Sequence, residues 1–136
     1  MLEISQQLID QMVAHAKRDH PDEACGVIAG PEGADRPTRF VPMINAAGSP
    51  TFYEFDSTEL LGLYKQMWAN DEEPVVIYHS HTRSEPYPSQ TDLNFAAYWP
   101  GVPWLIIGVD GEPATMRWYE IEDGAIGERP VRRTEA

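Results

Sequence analysis

The sequence predicts an α/β protein: a single domain in which a mixed β-sheet is packed with helices. Three observations predict it. Segments of helical periodicity are interleaved with short β-branched runs, the order expected when helices cover a sheet. The 136 residues suit one core and leave no room for two, so the domain spans 1–136. Apolar residues make up 42% of the chain, an ordinary globular share, and twelve prolines with ten glycines imply short elements and many connections.

Leu8, Ile9, Met12, Val13 and Ala16 recur at helical spacing, which predicts an amphipathic helix from Ser5 to Arg18. The helix stops at His20-Pro21, because proline disfavours helix in the residue before it. Cys25 to Gly30 is a short apolar run closed by glycine and proline, a buried strand. Thr38 to Ile44 and Thr51 to Phe55 read as two more strands. Asp56 with Glu59 three residues on has the form of a capping box. The helix it opens would use Leu60, Leu61, Tyr64, Met67 and Trp68 as its apolar face and end before Pro74. Val75 to Tyr78 is continuously apolar, as in a central strand covered on both sides. A polar loop from Thr82 to Pro88 leads to a short helix from Gln90 to Tyr98. Trp104 to Val109, Thr115 to Ile121 and Ala125 to Val131 read as closing strands, and the tail from Arg132 is expected to fray.

Composition excludes several classes of function. A net charge of −12 argues against a nucleic-acid partner, since phosphate binding needs clustered Lys and Arg. No run approaches the roughly 18 apolar residues of a membrane span. The opening Met1-Leu-Glu-Ile-Ser is unlike a signal peptide, so a cytoplasmic location is expected. Cys25 is the one cysteine, which precludes an internal disulfide, and its apolar surroundings predict a buried strand residue rather than a nucleophile. His15 is expected to be solvated or to cap the first helix, and His20 to mark its end. Trp68, Trp99, Trp104 and Trp118 read as core or as an association surface, which would support a homodimer.

The chemistry concentrates in His79-Ser80-His81, followed after seven residues by Ser89 and after two more by Asp92. Alternating side chains send His79 and His81 to the same face of a strand, where two imidazoles can hold one Zn²⁺. Asp92, in the first turn of the next helix, can supply a third, oxygen ligand. Three protein ligands leave a position for water, the arrangement of a catalytic site. Iron or cobalt would also suit two imidazoles and a carboxylate. Hydrolysis further needs a base, for which Glu23 is the candidate, although its sequence position does not place it beside the histidines. Ser89 can donate to the oxyanion of a tetrahedral intermediate. Each residue has a structural reading too: Ser89 and Asp92 fit a helix N-cap and a first-turn acid. Jointly, the four positions would arise by chance in about one in several thousand chains of this size, and the catalytic reading prevails. Thr82 and Arg83, directly after the histidines, are candidate substrate contacts.

This pattern, with an upstream glutamate before Cys25-Gly26, resembles the JAMM motif of MPN-domain metallopeptidases. The resemblance implies zinc ligands at His79, His81 and Asp92, a general base at Glu23 and an oxyanion or water-orienting role for Ser89. It also implies a mixed sheet between helices, distantly like zinc cytidine deaminases. Arg18 to Val27, Ser49 to Tyr53 and Val75 to His81 further resemble actinobacterial peptidases of the Mec type. That family frees cysteine from the C-terminus of a small ubiquitin-like sulfur-carrier protein in cysteine biosynthesis, so such a tail is the expected substrate. Two alternatives stand beside it: an isopeptidase for lysine-linked ubiquitin-like modifiers, and a non-catalytic MPN scaffold. A DNA-repair branch of the superfamily fits less well, because its second histidine is usually followed by Pro-Ser-Gly rather than Thr82-Arg83-Ser84.

Overall fold

The computed structural model describes residues 2–33, 36–49, 53–82, 102–109, 114–122 and 125–135. In chain order the elements are β1 (Leu2–Ser5), α1 (Gln6–Asp19), β2 (Cys25–Pro31), β3 (Arg39–Met43) and α2 (Ser57–Ala69). They continue with β4 (Glu72–His81), β5 (Trp104–Gly108), β6 (Thr115–Glu122), β7 (Ala125–Arg129) and β8 (Val131–Thr134). Six strands form one sheet in the order β3-β2-β4-β5-β6-β7. Only β4 and β5 run parallel within it, so the sheet is mixed, as the sequence predicts.

Strand alternation divides the interior into two cores. On one face α1 lays Leu8, Ile9, Met12 and Ala16 against Ile28, Val76, Tyr78, Leu105 and Ile107. On the other, Leu63 and Met67 of α2 meet Val27, Ala29, Ile77, Trp104 and Ile106. β4 and β5, covered on both faces, are therefore apolar through their centres, as parallel strands require. The β2–β4 ladder shifts register between Ile28 and Ala29: Ile28 faces Val76 and Ala29 faces Pro74. Val75 is the extra residue of this bulge, which explains why Val75 and Val76 both enter the α1-side core.

Both helix starts are set locally. The Ser5 hydroxyl accepts the Leu8 N–H, and the Asp56 carboxylate accepts the Glu59 N–H. The second half of the expected capping box takes another route, for Glu59 Oε1 accepts the N–H of Ile44 at 2.7 Å and ties α2 to the end of β3.

Several expectations are corrected. α2 buries Leu63 and Met67, whereas Leu61, Tyr64 and Trp68 are exposed, Trp68 by 85%. The sequence pattern marked an apolar stripe but not which edge of it meets the sheet. Of the expected strand Thr51–Phe55, the described part contains one antiparallel bridge, Asn45 to Phe55. The C-terminal segment does not fray: Val131 to Thr134 pairs in parallel with Leu2 to Ser5 as a separate two-stranded sheet, and Pro130 divides it from β7. His15 is buried rather than solvated. Its ring meets Phe40 edge-on, its Nδ1 lies 3.4 Å from the Tyr78 hydroxyl and its Nε2 3.4 Å from Asp19. Burial holds its pKa below the ordinary histidine value, opposed by Asp19. Trp104 and Trp118 are core residues, while the loop beyond Thr82, the helix expected at Gln90–Tyr98 and Trp99 lie outside the described residues.

Gly30 sits where β2 passes against the chain entering β3. A Cβ there would collide with the Arg36 carbonyl and press on Val75 at 3.0 Å. Gly30→Ala is expected to destabilise the protein by roughly 1–3 kcal/mol, the usual cost of overpacking. The check is the urea midpoint, which should fall without a change in slope.

Candidate active site

The site lies at the end of β4, where that strand meets the start of β2. Cys25 is in register with His79, so the residues just before Cys25 arrive beside the histidine pair. Two hydrogen bonds hold this junction: Ser80 N–H donates to the Ala24 carbonyl at 2.9 Å, and Ala24 N–H donates to Ser80 Oγ at 2.8 Å. Ser80 is buried, and alternation points its side chain away from the face shared by His79 and His81. Sequence reasoning passed over Ser80. Its signal was a hydroxyl residue in an otherwise apolar strand, where a buried polar group requires a partner.

Glu23 is placed by its backbone. Its N–H donates to the Ser49 carbonyl at 2.8 Å, and its own carbonyl accepts from Asn45 Nδ2 at 2.9 Å. Asn45 Oδ1 in turn accepts the N–H groups of Ala47 and Glu54. One asparagine thus links the glutamate to the connection between β3 and α2. The Thr82 hydroxyl donates to the Pro21 carbonyl at 3.2 Å, so the segments on either side of the junction are joined a second time.

The result is a buried group of donors. Glu23, His79 and His81 each offer a ligand atom, and these atoms lie within 4.8 Å of one another. His79 Nε2 and His81 Nε2 face each other at 3.0 Å. Two ring nitrogens bound to one tetrahedral zinc would be separated by roughly 3.3 Å, given Zn–N distances of about 2.0–2.1 Å. The two imidazoles therefore fit a shared ion with little movement, and nitrogen plus carboxylate oxygen is a donor set that zinc takes. All three side chains are buried, Glu23 to 4% exposure and His79 completely.

Of the residues expected from the sequence, Glu23, His79 and His81 come together here, with Thr82 at their edge. Ser89, Asp92 and Arg83 lie outside the described residues. Cys25 is fully buried, and burial pushes its thiol pKa far above the ordinary value. It is therefore a protonated core residue at neutral pH, as expected, and not a nucleophile. A small cleft of about 240 Å³ opens beside Glu23, lined by Arg18, Asp22, Met43, Ile44 and Asn45 among others.

Comparison with known proteins agrees with this geometry. Residues 5–121 match the family described as prokaryotic homologs of the JAB domain. The CysO-cysteine peptidase of Mycobacterium tuberculosis is 52% identical over 136 residues, covering 99% of this chain and 92% of that protein. A desampylase of Haloferax volcanii is 36% identical over 114 residues, covering 80% of this chain and 81% of its own. Among solved structures, a JAB1/MPN domain protein of Archaeoglobus fulgidus superposes with a TM-score of 0.64 at 20% identity. It covers 99% of this chain and 100% of that one, a likeness of fold.

Removing the Ser80 hydroxyl would leave the buried Ala24 N–H without its acceptor. Ser80→Ala is expected to cost about 1–3 kcal/mol, the penalty for an unsatisfied buried donor. Thermal unfolding should show a lower Tm, and an unchanged Tm would mean the junction does not depend on this bond.

Proposed function

The chain belongs to the family of prokaryotic homologs of the JAB domain, and from that premise we propose that it is a zinc metallopeptidase. Its proposed substrate is the C-terminal tail of a ubiquitin-like sulfur-carrier protein, from which it frees cysteine during cysteine biosynthesis. The observation that carries the reading is the buried group of Glu23, His79 and His81 in a chain 52% identical, over nearly its whole length, to a CysO-cysteine peptidase.

In this reading His79, His81 and Asp92 hold the ion. Bound there, it would lower the pKa of a water towards about 7 and polarise the scissile carbonyl. Glu23 would accept a proton from the water that adds to the carbonyl carbon. The same carboxyl then delivers the proton to the nitrogen as the C–N bond breaks, so the amine leaves neutral. Ser89 donates to the oxyanion. Thr82 and Arg83 contact the tail next to the histidines. The burial of Glu23 and the imidazoles excludes bulk water and strengthens each of these interactions.

A surface for the carrier's folded body is available on α2. Leu61, Tyr64 and Trp68 form an exposed stripe at helical spacing, and Glu32, Glu72 and Glu73 share a groove with Tyr64 and Trp68. An apolar centre with an acidic rim favours a partner whose own apolar patch is ringed by Lys and Arg. The same rim, on a chain of net charge −12, disfavours a second copy of this protein. Similarity to a desampylase supports the second reading, an isopeptidase for lysine-linked modifiers. The two readings differ in the leaving amine.

The test supplies the zinc-loaded protein with a sulfur-carrier bearing a C-terminal cysteine and follows cysteine release by mass spectrometry. Release is expected from wild type, with loss on chelation and recovery on adding zinc. Glu23→Gln should lower the rate by about 10²–10⁴-fold, the usual share of general acid–base catalysis. A folded, zinc-bound protein that releases nothing would overturn this substrate, and lysine-linked conjugates would be tried next. Trp68→Ala is expected to raise KM severalfold with kcat nearly unchanged, since it removes only binding of the carrier body.

A further inference from the structure

Tyr53 lies between β3 and α2, far in sequence from the histidines, and none of the groups assigned above includes it. Its ring is nonetheless stacked on His79, with centroids 4.7 Å apart and planes inclined by 26°. Trp104 meets the same imidazole edge-to-face at 5.5 Å and 84°. His81 stands at the Nε2 side. On the sheet His79 is flanked in register by Cys25 of β2 and Ile106 of β5, both buried. The imidazole is thus enclosed by two aromatic rings above the sheet and by two strands beside it.

Tyr53 is itself held firmly. It is 2% exposed, packs on Phe55 at 5.6 Å and on Trp104 at 6.1 Å, and belongs to the core that includes Leu63 and Met67 of α2. Phe55 is bridged to Asn45, the residue whose amide binds the Glu23 carbonyl. The segment that presents Tyr53 to His79 is therefore braced by the residue that positions Glu23.

We infer that Tyr53 is a positioning residue for metal binding: with Trp104 it holds the His79 ring in the orientation that aims Nε2 at the ion. An imidazole has two ring nitrogens and a broad χ2 well, so an unrestrained histidine must lose rotational freedom on binding a metal. A stacked ring removes that freedom before the ion arrives, as do the hydrogen-bonded partners of metal-ligating histidines, whose loss typically costs about 10–100-fold in metal affinity. The proposed role is that of the ring face, which stacks on His79. The inference rests on the proposed metal site but is independent of the substrate.

The test measures binding of Co²⁺ to metal-free protein by competition with a chromophoric chelator, with the visible spectrum of the bound ion as a second readout. Tyr53→Phe keeps the stacked face and is expected to bind within about twofold of wild type. Tyr53→Leu removes it and is expected to bind about 10–100-fold more weakly, with an altered cobalt spectrum. Circular dichroism of the metal-free forms should show the fold retained. If Tyr53→Leu fails to fold, Tyr53→Met, which fills similar space with an unbranched chain, replaces it. Leucine or methionine variants that bind cobalt as wild type does would overturn the inference. So would the failure of both to fold beside a normal phenylalanine variant, which would make the ring a core residue only. Wild type that binds no cobalt would instead overturn the metal site itself.

Discussion

The register in which Cys25 of β2 faces His79 of β4 is the constraint on which the site depends. Side chains alternate along a strand, so a slip of one residue would turn His79 and His81 to the α1 side and move Glu23 away from them. Two features pin the register locally. Ser80 and Ala24 exchange two hydrogen bonds at the junction, and the bulge at Val75 takes up the mismatch farther along the same ladder. The buried serine hydroxyl has its acceptor role satisfied only in this alignment. Polar specificity inside an apolar strand thereby selects one pairing from several of similar hydrophobic content.

Around that junction the interior is apolar on both faces of the sheet, which raises the cost of burying a polar cluster there. Withdrawing a carboxylate and two imidazoles from water is costly unless they meet partners of matching chemistry. Here the neighbours of His79 are Tyr53, Trp104 and His81, and Glu23 is fixed through its backbone by Ser49 and Asn45. Strands carry the two histidines, and a hydrogen-bonded loop carries Glu23.

The surface has the opposite character. Arg39 and Glu72 form a two-point ion pair across the sheet edge, and the arginine beside it holds the Glu72 carboxyl below the usual carboxylate range. With 22 acidic against ten basic residues, the chain as a whole is strongly anionic. The exposed side of α2 stands out against this background, because Leu61, Tyr64 and Trp68 have not been replaced by charges there. A cleft beside Glu23 reaches the end of β3 at Ile44, whose N–H is held by Glu59 of α2.

Local rules read from the chain alone account for the two helices and the Asp56 N-cap, the buried central strands, the inert cysteine and the spacing that aims two histidines to one side. Each depends on residues within one or two turns or strand repeats of each other, where periodicity and capping are decisive. Other features escaped it. The pairing of Val131–Thr134 with Leu2–Ser5, the burial of His15 against Phe40 and Tyr78, and the exposed edge of α2 depend on what packs opposite. So do the meeting of Glu23 with His79 and His81, the bond from Ala24 to Ser80 and the stacking of Tyr53 on His79. The sequence by itself determined most of the central elements and the residue types able to do the chemistry. Only the tertiary structure decided which of them meet, because a contact between residues 23 and 79, or 53 and 79, is set by strand register and core packing, to which no short-range pattern is sensitive.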